Sequence, residues 1–200
     1  MSTLLLVLFV AAQRAPAPAP RPAPPRAGLS WEEADALGSK LEALDKRQKS
    51  GKTARPETVS VTEGELNSYV NLKVKIPDGI SDLALKLDRD QVAATAVVDL
   101  DLVQGKPAPS AWSPFTLLTG RVPVVLKGKL IGKEQGFAAF EVDEVRLGAM
   151  PVPPSVLAQL VAAATRSREN SEGVDVLAPF RLPYTMKRVR LQPRRALLDF

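Results

Sequence analysis

The chain has 200 residues and 45% hydrophobic content, which suits one domain with a sizeable core. It contains no cysteine and no histidine, so disulfide frameworks, thiolate nucleophiles, imidazole bases and metal sites built from these side chains are excluded. The formal charge of +5 and the pI of about 9.6 favour anionic partners. We therefore expect a protein that is not an enzyme and that uses no cofactor or metal.

The first 28 residues carry the features of an export signal and a tether. Residues 4–12, LLLVLFVAA, form an apolar run that is too short to span a bilayer and is typical of a signal-peptide core. Residues 13–28 are rich in alanine, proline and arginine, a composition typical of an extended polyproline-like spacer. We predict a signal peptide at 1–12, a linker at 13–28, and export to the periplasm or cell envelope.

A helix is predicted from Trp31 to Lys49. Leu37, Leu41 and Leu44 recur at the spacing of one helical face, and the remaining faces are charged. The helix and the loop after it form an N-terminal segment at 29–58. Its single apolar stripe predicts that the helix packs by one face only.

The stretch VTEGELNSYVN at residues 61–71 raises the question of whether it holds a catalytic carboxylate. Thr62 followed by Glu65 has the spacing of a capping box, in which the two residues satisfy free N–H groups at the start of a helix. This helix is predicted to leave Asn67 and Ser68 on its solvated side. No partner for general acid or base chemistry lies nearby in the sequence, which favours the structural role.

The later part of the chain changes to a period of two, which predicts strands. Residues 83–87 and 92–103 form the first predicted hairpin. Residues 104–115 contain too many prolines for a central strand and predict a long loop. This loop is expected to expose Trp112 and Phe115, which are candidates either for contact with a membrane surface or for packing onto the domain.

The second predicted hairpin runs through residues 122–130 and 140–147. Its apolar positions slip out of phase after Val142. This slip predicts a β-bulge near Asp143 and Glu144 that bends the sheet.

The chain ends with a predicted helix and a pair of strands. Prolines at 153 and 154 open the helix, which is expected to reach residue 168. Strands at 185–192 and 195–200 close the chain. The order of helix, helix, four strands, helix and two strands indicates an α+β fold with an antiparallel sheet, preceded by N-terminal helices.

Two pairs of carboxylates are the candidates for chemistry. Asp99 with Asp101, and Glu141 with Asp143, lie two positions apart, so each pair shares a strand face that suits calcium or an acid and a base. The same alternation of aspartate with leucine is typical of a strand with one face in water. We favour this second interpretation and predict no catalytic and no metal-binding residues.

Several segments follow the order found in a known family: VTEGELNSYVN, the LDLVQG hairpin, LLTGRVPVVLKGKLIGKEQGFAAFEVDEVRLGAMPVPPSVLAQLV, and GVDVLAPFRLPYTMKRVRLQPRRALLDF. Over about residues 59–200 the chain resembles the small exported bacterial proteins of the tubular lipid-binding (TULIP) superfamily, including the LmeA-like phospholipid-binding proteins. The resemblance implies a strongly curved antiparallel sheet that wraps a long helix in a BPI-like half-barrel, with lipid inside. It also implies that the helix at 154–168 is the wrapped one.

The apolar alternation and the resemblance together favour a non-enzymatic cell-envelope protein whose single domain, at 59–200, holds acyl chains in an apolar cavity. The expected wall consists of residues on the inner faces of the strands and of the last helix: Leu83, Leu85, Val98, Leu100, Val124, Leu126, Phe140, Val142, Leu157, Leu160 and Val161. Four arginines are candidates for binding an anionic head group, since the guanidinium fork suits phosphate: Arg188, Arg190, Arg194 and Arg195.

An alternative with the same apolar pattern is a periplasmic scaffold or assembly factor, which has a filled core and binds another envelope protein. Periodicity does not distinguish the two, because both require the same alternation. The expected partners are therefore a lipid or amphipathic small molecule, a membrane surface or an envelope protein. Nucleic acid is not expected, since an exported protein with a single basic strand rarely meets it.

Overall fold

The structure is a computed structural model. It describes the following residues: 28–50, 56–76, 78–103, 120–133, 136–165 and 171–200. These residues form an α+β fold with two antiparallel sheets, which confirms the predicted class. The predicted signal peptide, the linker up to residue 27, and the loop with Trp112 and Phe115 lie outside the described residues.

Four helices lie within the described residues, with these bounds: α1, Trp31–Ser50; α2, Glu63–Lys73; α3, Leu100–Val103; and α4, Pro154–Thr165. Helix α1 confirms the first predicted helix, and its Leu37, Leu41 and Leu44 are all buried. These leucines pack in one cluster with residues of the strands. The N-terminal helix therefore shares a core with the domain predicted at 59–200.

Helix α2 begins with the predicted capping box. The Thr62 hydroxyl accepts a hydrogen bond from the Glu65 N–H at 3.1 Å, and the Glu65 carboxylate accepts one from the Thr62 N–H at 2.9 Å. Val61 and Leu66, which flank the cap, are buried in the same cluster. The box thus satisfies backbone groups that the helix itself leaves unpaired.

The larger sheet has the strand order β2-β3-β4-β5-β6, and β7 pairs with β5. Its strands have these bounds: β2, Ile80–Asp88; β3, Gln91–Asp99; β4, Arg121–Gly132; β5, Phe137–Leu147; β6, Met150–Pro151; and β7, Phe180–Arg181. All of these pairs are antiparallel. Because side chains alternate along each strand, one face of the sheet supplies the core.

The predicted bulge is present in β5. Lys127 of β4 pairs with Glu144, and the next residue, Gly128, pairs with Val142, so Asp143 is the extra residue. The phase slip in the apolar pattern therefore corresponds to a real shift of register.

The smaller sheet joins an early strand to the last two strands. Its order is β1-β9-β8, with these bounds: β1, Thr58–Thr62; β8, Arg188–Gln192; and β9, Arg195–Asp199. The final strand pair confirms the prediction, whereas β1 was not expected from the sequence. Five residues next to a loop carry too little periodicity to be recognised without their partner β9.

The third strand ends earlier than predicted. It stops at Asp99, and α3 replaces the expected continuation to Val103. Asp99 causes this change, because its carboxylate accepts a hydrogen bond from the Asp101 N–H at 3.1 Å and so caps the turn. The Asp101 carboxylate in turn accepts from the Gly120 N–H at 3.1 Å. The two aspartates therefore do not share a strand face.

The larger sheet is not strongly curled, and the half-barrel implied by the resemblance is not confirmed. Helix α4 covers one end of the sheet, where Leu157 packs with Val145, Val174 and Val176. Helices α1 and α2 and the smaller sheet cover the other end. The inner face is thus divided between two covering layers.

Candidate functional site

An apolar cavity of about 70 Å³ lies between helices α1 and α2, the smaller sheet and the β2 end of the larger sheet. Its lining residues are Leu37, Leu41, Leu44, Val61, Leu66, Val70, Leu85, Leu87, Val92, Leu130, Pro183, Tyr184, Met186, Val189, Leu191, Ala196 and Leu198. Among these side chains, Tyr184 alone carries an O–H or N–H group. The cavity therefore suits an apolar group and disfavours a charged one.

Ser68 holds the two helices that form one wall of this cavity. Its hydroxyl donates to the Glu33 carboxylate at 3.0 Å and accepts from the Ser30 N–H at 3.0 Å. Ser68 is 0% exposed, so its predicted place on a solvated side is wrong. The physical reason is that the start of α1 lies against this face of α2, and the hydroxyl pairs with it.

Glu65 is fully engaged in structural contacts. Its two carboxylate oxygens accept hydrogen bonds from the Lys40 ammonium at 2.7 and 2.9 Å, in addition to the bond from Thr62. Lys40 also donates to the Ser60 carbonyl at 2.7 Å. The carboxylate thus links α1, β1 and α2, which agrees with the structural role predicted for this stretch.

A ladder of side chains from α2 covers the free edge of β2. The Glu63 carboxylate accepts from the Leu87 N–H at 2.8 Å. Asn67 accepts from the Leu85 N–H at 2.7 Å and donates to the Leu85 carbonyl at 2.8 Å. Asn71 donates to the Leu83 carbonyl at 2.8 Å. Asn67, which was expected in solvent, therefore replaces the neighbouring strand that β2 lacks.

The ladder works because the repeats of a helix and a strand nearly match. Its rungs Glu63, Asn67 and Asn71 are four residues apart, a rise of about 6.0 Å along a helix. The opposing strand residues are two apart, a rise of about 6.6 Å. The edge that α2 seals is the strand that brings Leu85 and Leu87 to the cavity.

The expected lipid wall does not form one surface. Leu85 lines the cavity, and Phe140 is buried in the same cluster. Val98 and Val124 belong to a separate cluster with Leu147 at the opposite end of the sheet. Other members are divided between the clusters or lie at their margins: Leu126 and Val142 touch two clusters, Leu157 and Val161 pack beside Val145, Leu100 is buried, and Leu83 is half-buried.

For Leu160, the structure gives only its place in α4. The cavity residues that sequence reasoning missed come mostly from α1, from the turn at 183–186 and from the C-terminal strands β8 and β9. Their local signals were visible, since Leu37 and Leu41 form a helical stripe and Leu191 alternates with polar neighbours. The pairing of β1 with β9, which brings them together, has no local signal.

The four candidate arginines lie away from the cavity lining. Arg190 forms a two-bond ion pair with Asp199, with both N–O distances at 2.9 Å, and Arg195 donates to Gln192 at 2.8 Å. Alternation along β8 and β9 places these side chains on the outer face, because the inner positions line the cavity. A single ligand therefore does not contact both the cavity lining and these arginines through the smaller sheet.

Arg194 occupies the turn between β8 and β9, where its backbone is in use. Its N–H donates to the Leu87 carbonyl and its carbonyl accepts from the Glu63 N–H, both at 2.9 Å. The turn therefore fixes the smaller sheet to the ladder between α2 and β2. Arg188 is exposed at the other end of β8.

Tyr184 is the polar feature of the cavity lining. Burial, with smaller contributions from Tyr69 and Asp45, raises the pKa of Tyr184 to about 12. Burial and the nearby Glu42 also raise the pKa of Tyr69. Both phenols are therefore protonated at neutral pH, and each carries an O–H group.

Within the described part of the chain, no group of three or more acidic side chains is placed to hold a metal ion. Glu141 and Asp143 lie on the outer side of β5, where the neighbouring Glu144 pairs with Lys127 at 2.7 Å. Of the helices that the structure describes, none combines the length and the apolar character needed to cross a membrane.

In comparisons with known proteins, the chain matches no protein-family model, no curated protein and no solved structure.

Proposed function

We propose that the chain is a non-enzymatic cell-envelope protein that binds a lipid or another amphipathic molecule. The cavity between α1, α2 and the two sheets receives the apolar end of this ligand. The carrying observation is that a cavity of about 70 Å³ has an almost wholly apolar lining. Such cavities stay dry and accept apolar guests, because water finds no hydrogen-bond partners in them.

The cavity volume limits how much of a ligand it encloses. Pockets that bury a whole drug-sized molecule have about 300 to 1,000 Å³. The cavity is therefore proposed to take a chain end, with the remainder of the ligand outside. Each methylene removed from water contributes about 0.8 kcal/mol before the costs of binding are subtracted.

We further propose that the domain is a one-lobe relative of the TULIP and LmeA-like proteins, with a flatter sheet than their half-barrels. The order of its elements supports this relationship. Export to the periplasm or cell envelope and contact with a membrane surface belong to the same proposal, and they rest on the apolar run and the spacer at the start of the chain.

The test is lipid capture by the protein purified from its own envelope, measured by native mass spectrometry. Ala196→Val adds two methyl groups to the cavity wall, and the matched control Ala84→Val adds them at an exposed strand position. We expect bound lipid in the wild type and in the control and its loss in Ala196→Val. Val70→Leu fills the same cavity from α2 and should give the same result.

The second candidate is a scaffold or assembly factor that binds an envelope protein. The small volume of the cavity favours this second candidate, since most residues of the expected wall pack against other side chains of the protein and do not line the cavity. It predicts a wild type without bound lipid and without uptake from vesicles. It also predicts that Ala196→Val is stabilised, because the substitution would then fill only a packing defect.

A further inference from the structure

The outer face of the smaller sheet carries more positive than negative charge. Because side chains alternate along a strand, every second residue of β1, β8 and β9 lies on this face. These positions include Arg188, Arg190 and Arg195, and the one acid among them is Asp199. The inner positions of the same strands pack into the shared core. This surface, here called the arginine face, therefore points away from the cavity.

The positive charge of the arginine face is not neutralised within the described part of the chain. Asp199 is occupied by Arg190, at two N–O distances of 2.9 Å. Arg188 and Arg195 are exposed and form no ion pair with a described residue, and Arg195 donates to a neutral amide at 2.8 Å. The turn between β8 and β9 adds the exposed Arg194. The face thus keeps several guanidinium groups for an external anion.

The outer face of the larger sheet has a different balance of charge. Lys127 pairs there with Glu144 at 2.7 Å, and Lys129 lies opposite Glu141 in the strand register. Because both sheets turn their inner faces to one core, their outer faces point in opposite directions. The protein therefore has one basic side and one side of mixed charge.

We propose that the arginine face docks the protein on a bilayer surface rich in anionic phospholipids. This inference deepens the membrane contact of the proposed function and rests on the envelope location proposed there. Its basis is charge complementarity, since guanidinium groups bind phosphate through two parallel hydrogen bonds. Juxtaposed basic residues are also attracted by the negative potential of an anionic leaflet.

The spacing of the arginines suits a surface better than a single anion. Arg188 and Arg190 lie two residues apart along β8, a distance of about 6.6 Å, and Arg195 lies on the neighbouring strand. The β1 positions of the same face carry hydroxyl groups, which donate hydrogen bonds to phosphate oxygens. Groups spread over three strands contact several head groups side by side.

Vesicle binding by the full-length protein tests the inference, with vesicles of phosphatidylcholine and vesicles of phosphatidylglycerol. We expect the wild type to bind the anionic vesicles more tightly. Arg188→Gln combined with Arg195→Gln should weaken this binding about 30-fold, since each arginine near such a surface contributes a factor of about five. The matched control is Lys129→Gln with Arg181→Gln, which removes the same charge from exposed positions of the larger sheet. The control should bind about as tightly as the wild type.

A gain of binding provides a second measurement if the double variant does not fold. Ser60→Lys adds a cation at an exposed position in the middle of β1, on the arginine face, and should tighten binding to the anionic vesicles about fivefold. Unchanged or weaker binding would contradict the proposal. Equal losses in the double variant and its control would show that net charge acts, and would overturn the arginine face as the docking surface.

The remaining outcomes identify other partners. Equal binding of both kinds of vesicle by the wild type would overturn the proposal. Inorganic phosphate that displaced the protein from anionic vesicles at low concentration would indicate a site for a single anion instead. Binding of a DNA duplex in place of the vesicles would assign the face to nucleic acid. Lipid capture in the cavity is measured separately by native mass spectrometry, so a failure of docking is distinguishable from a failure of the proposed ligand binding.

Discussion

At the scale of single residues, Gly128 in β4 is required by two close neighbours. A Cβ atom there would lie less than 3.0 Å from both the Glu141 carbonyl oxygen and the Phe140 ring. The ring occupies the space next to the glycine, directly beside the bulge of β5. A glycine in β4 costs conformational entropy, but it allows the Phe140 ring and the β5 backbone to approach the strand closely.

Gly128→Ala is expected to lower the free energy of unfolding by about 1 to 3 kcal/mol, because backbone and ring must both shift. Urea unfolding measures this change. Gly132→Ala is the control, since no atom lies within 4 Å of a Cβ atom at that end of the same strand. Equal losses in the two variants would show that close packing is not the cause.

Thr185 presents the opposite case, because it is a residue other than glycine in a backbone conformation that favours glycine. It is exposed, β-branched and held at a φ of 58°. Thr185→Gly should stabilise the fold, because it removes the cost of about 1 to 2 kcal/mol that a left-handed conformation imposes on an L-residue. The greater entropy of glycine in the unfolded chain reduces this gain by about 0.4 to 1 kcal/mol. Thermal unfolding measures the net gain. Thr95→Gly, at an exposed strand position, should instead destabilise the protein.

At the scale of elements, helix α2 and strand β2 behave as a pair. The helix supplies amide and carboxylate groups to the strand edge, where another chain would otherwise find free N–H and C=O groups. The strand supplies Leu85 and Leu87 to the cavity lining. Loss of the ladder should therefore lower the free energy of unfolding and leave a free β2 edge that can associate with another chain.

Asn67→Ala is expected to cost about 2 to 3 kcal/mol of unfolding free energy, because it leaves both backbone groups of Leu85 without their partner. Asn71→Ala removes one bond to the strand and should cost about half as much. Urea unfolding ranks the variants, and light scattering reports any edge-to-edge association. A cost for Asn71→Ala that matched or exceeded that of Asn67→Ala would contradict the ladder.

The elements also show which features a sequence can predict. Helix α1, the Thr62 cap and the bulge at Asp143 were predictable, because each depends on residues that are close together in the chain. The helical turn at Asp99 was missed, since an aspartate that caps a turn and one that faces solvent look alike. The predicted wall includes residues of α4, whereas the described cavity lies against α1 and α2, because periodicity identifies an inner face but not the element that covers it.

At the scale of the whole molecule, strand β9 joins the start of the domain to its end. It lies between β1 and β8, and Asp199 makes contacts in both directions. Its carboxylate accepts from the Thr58 hydroxyl at 2.7 Å and from the Arg190 guanidinium at 2.9 Å. The hydrogen bonds from Arg190 and then Thr58 hold the pKa of Asp199 below its usual value.

Acid should therefore weaken this junction. Because the pKa of Asp199 is lower in the folded chain than in the unfolded chain, its contribution is complete above the unfolded value of about 3.9 and is lost as the pH falls through the folded value. Between pH 5 and pH 2 the wild type should lose more stability than Asp199→Asn. Asp78→Asn, at an exposed site, should follow the wild type. Parallel curves for all three proteins would argue against the junction.

The ladder between α2 and β2 has a built-in limit on its length. Each step of the helix falls short of the matching step of the strand by about 0.6 Å, so the offset reaches about 1.2 Å by the third rung. A fourth rung would require a bend or a longer side chain. The register of β2 shifts between Ser81 and Ala84, where the rungs end. A helix of this kind can therefore seal only a short sheet edge, and a longer edge would need a second helix.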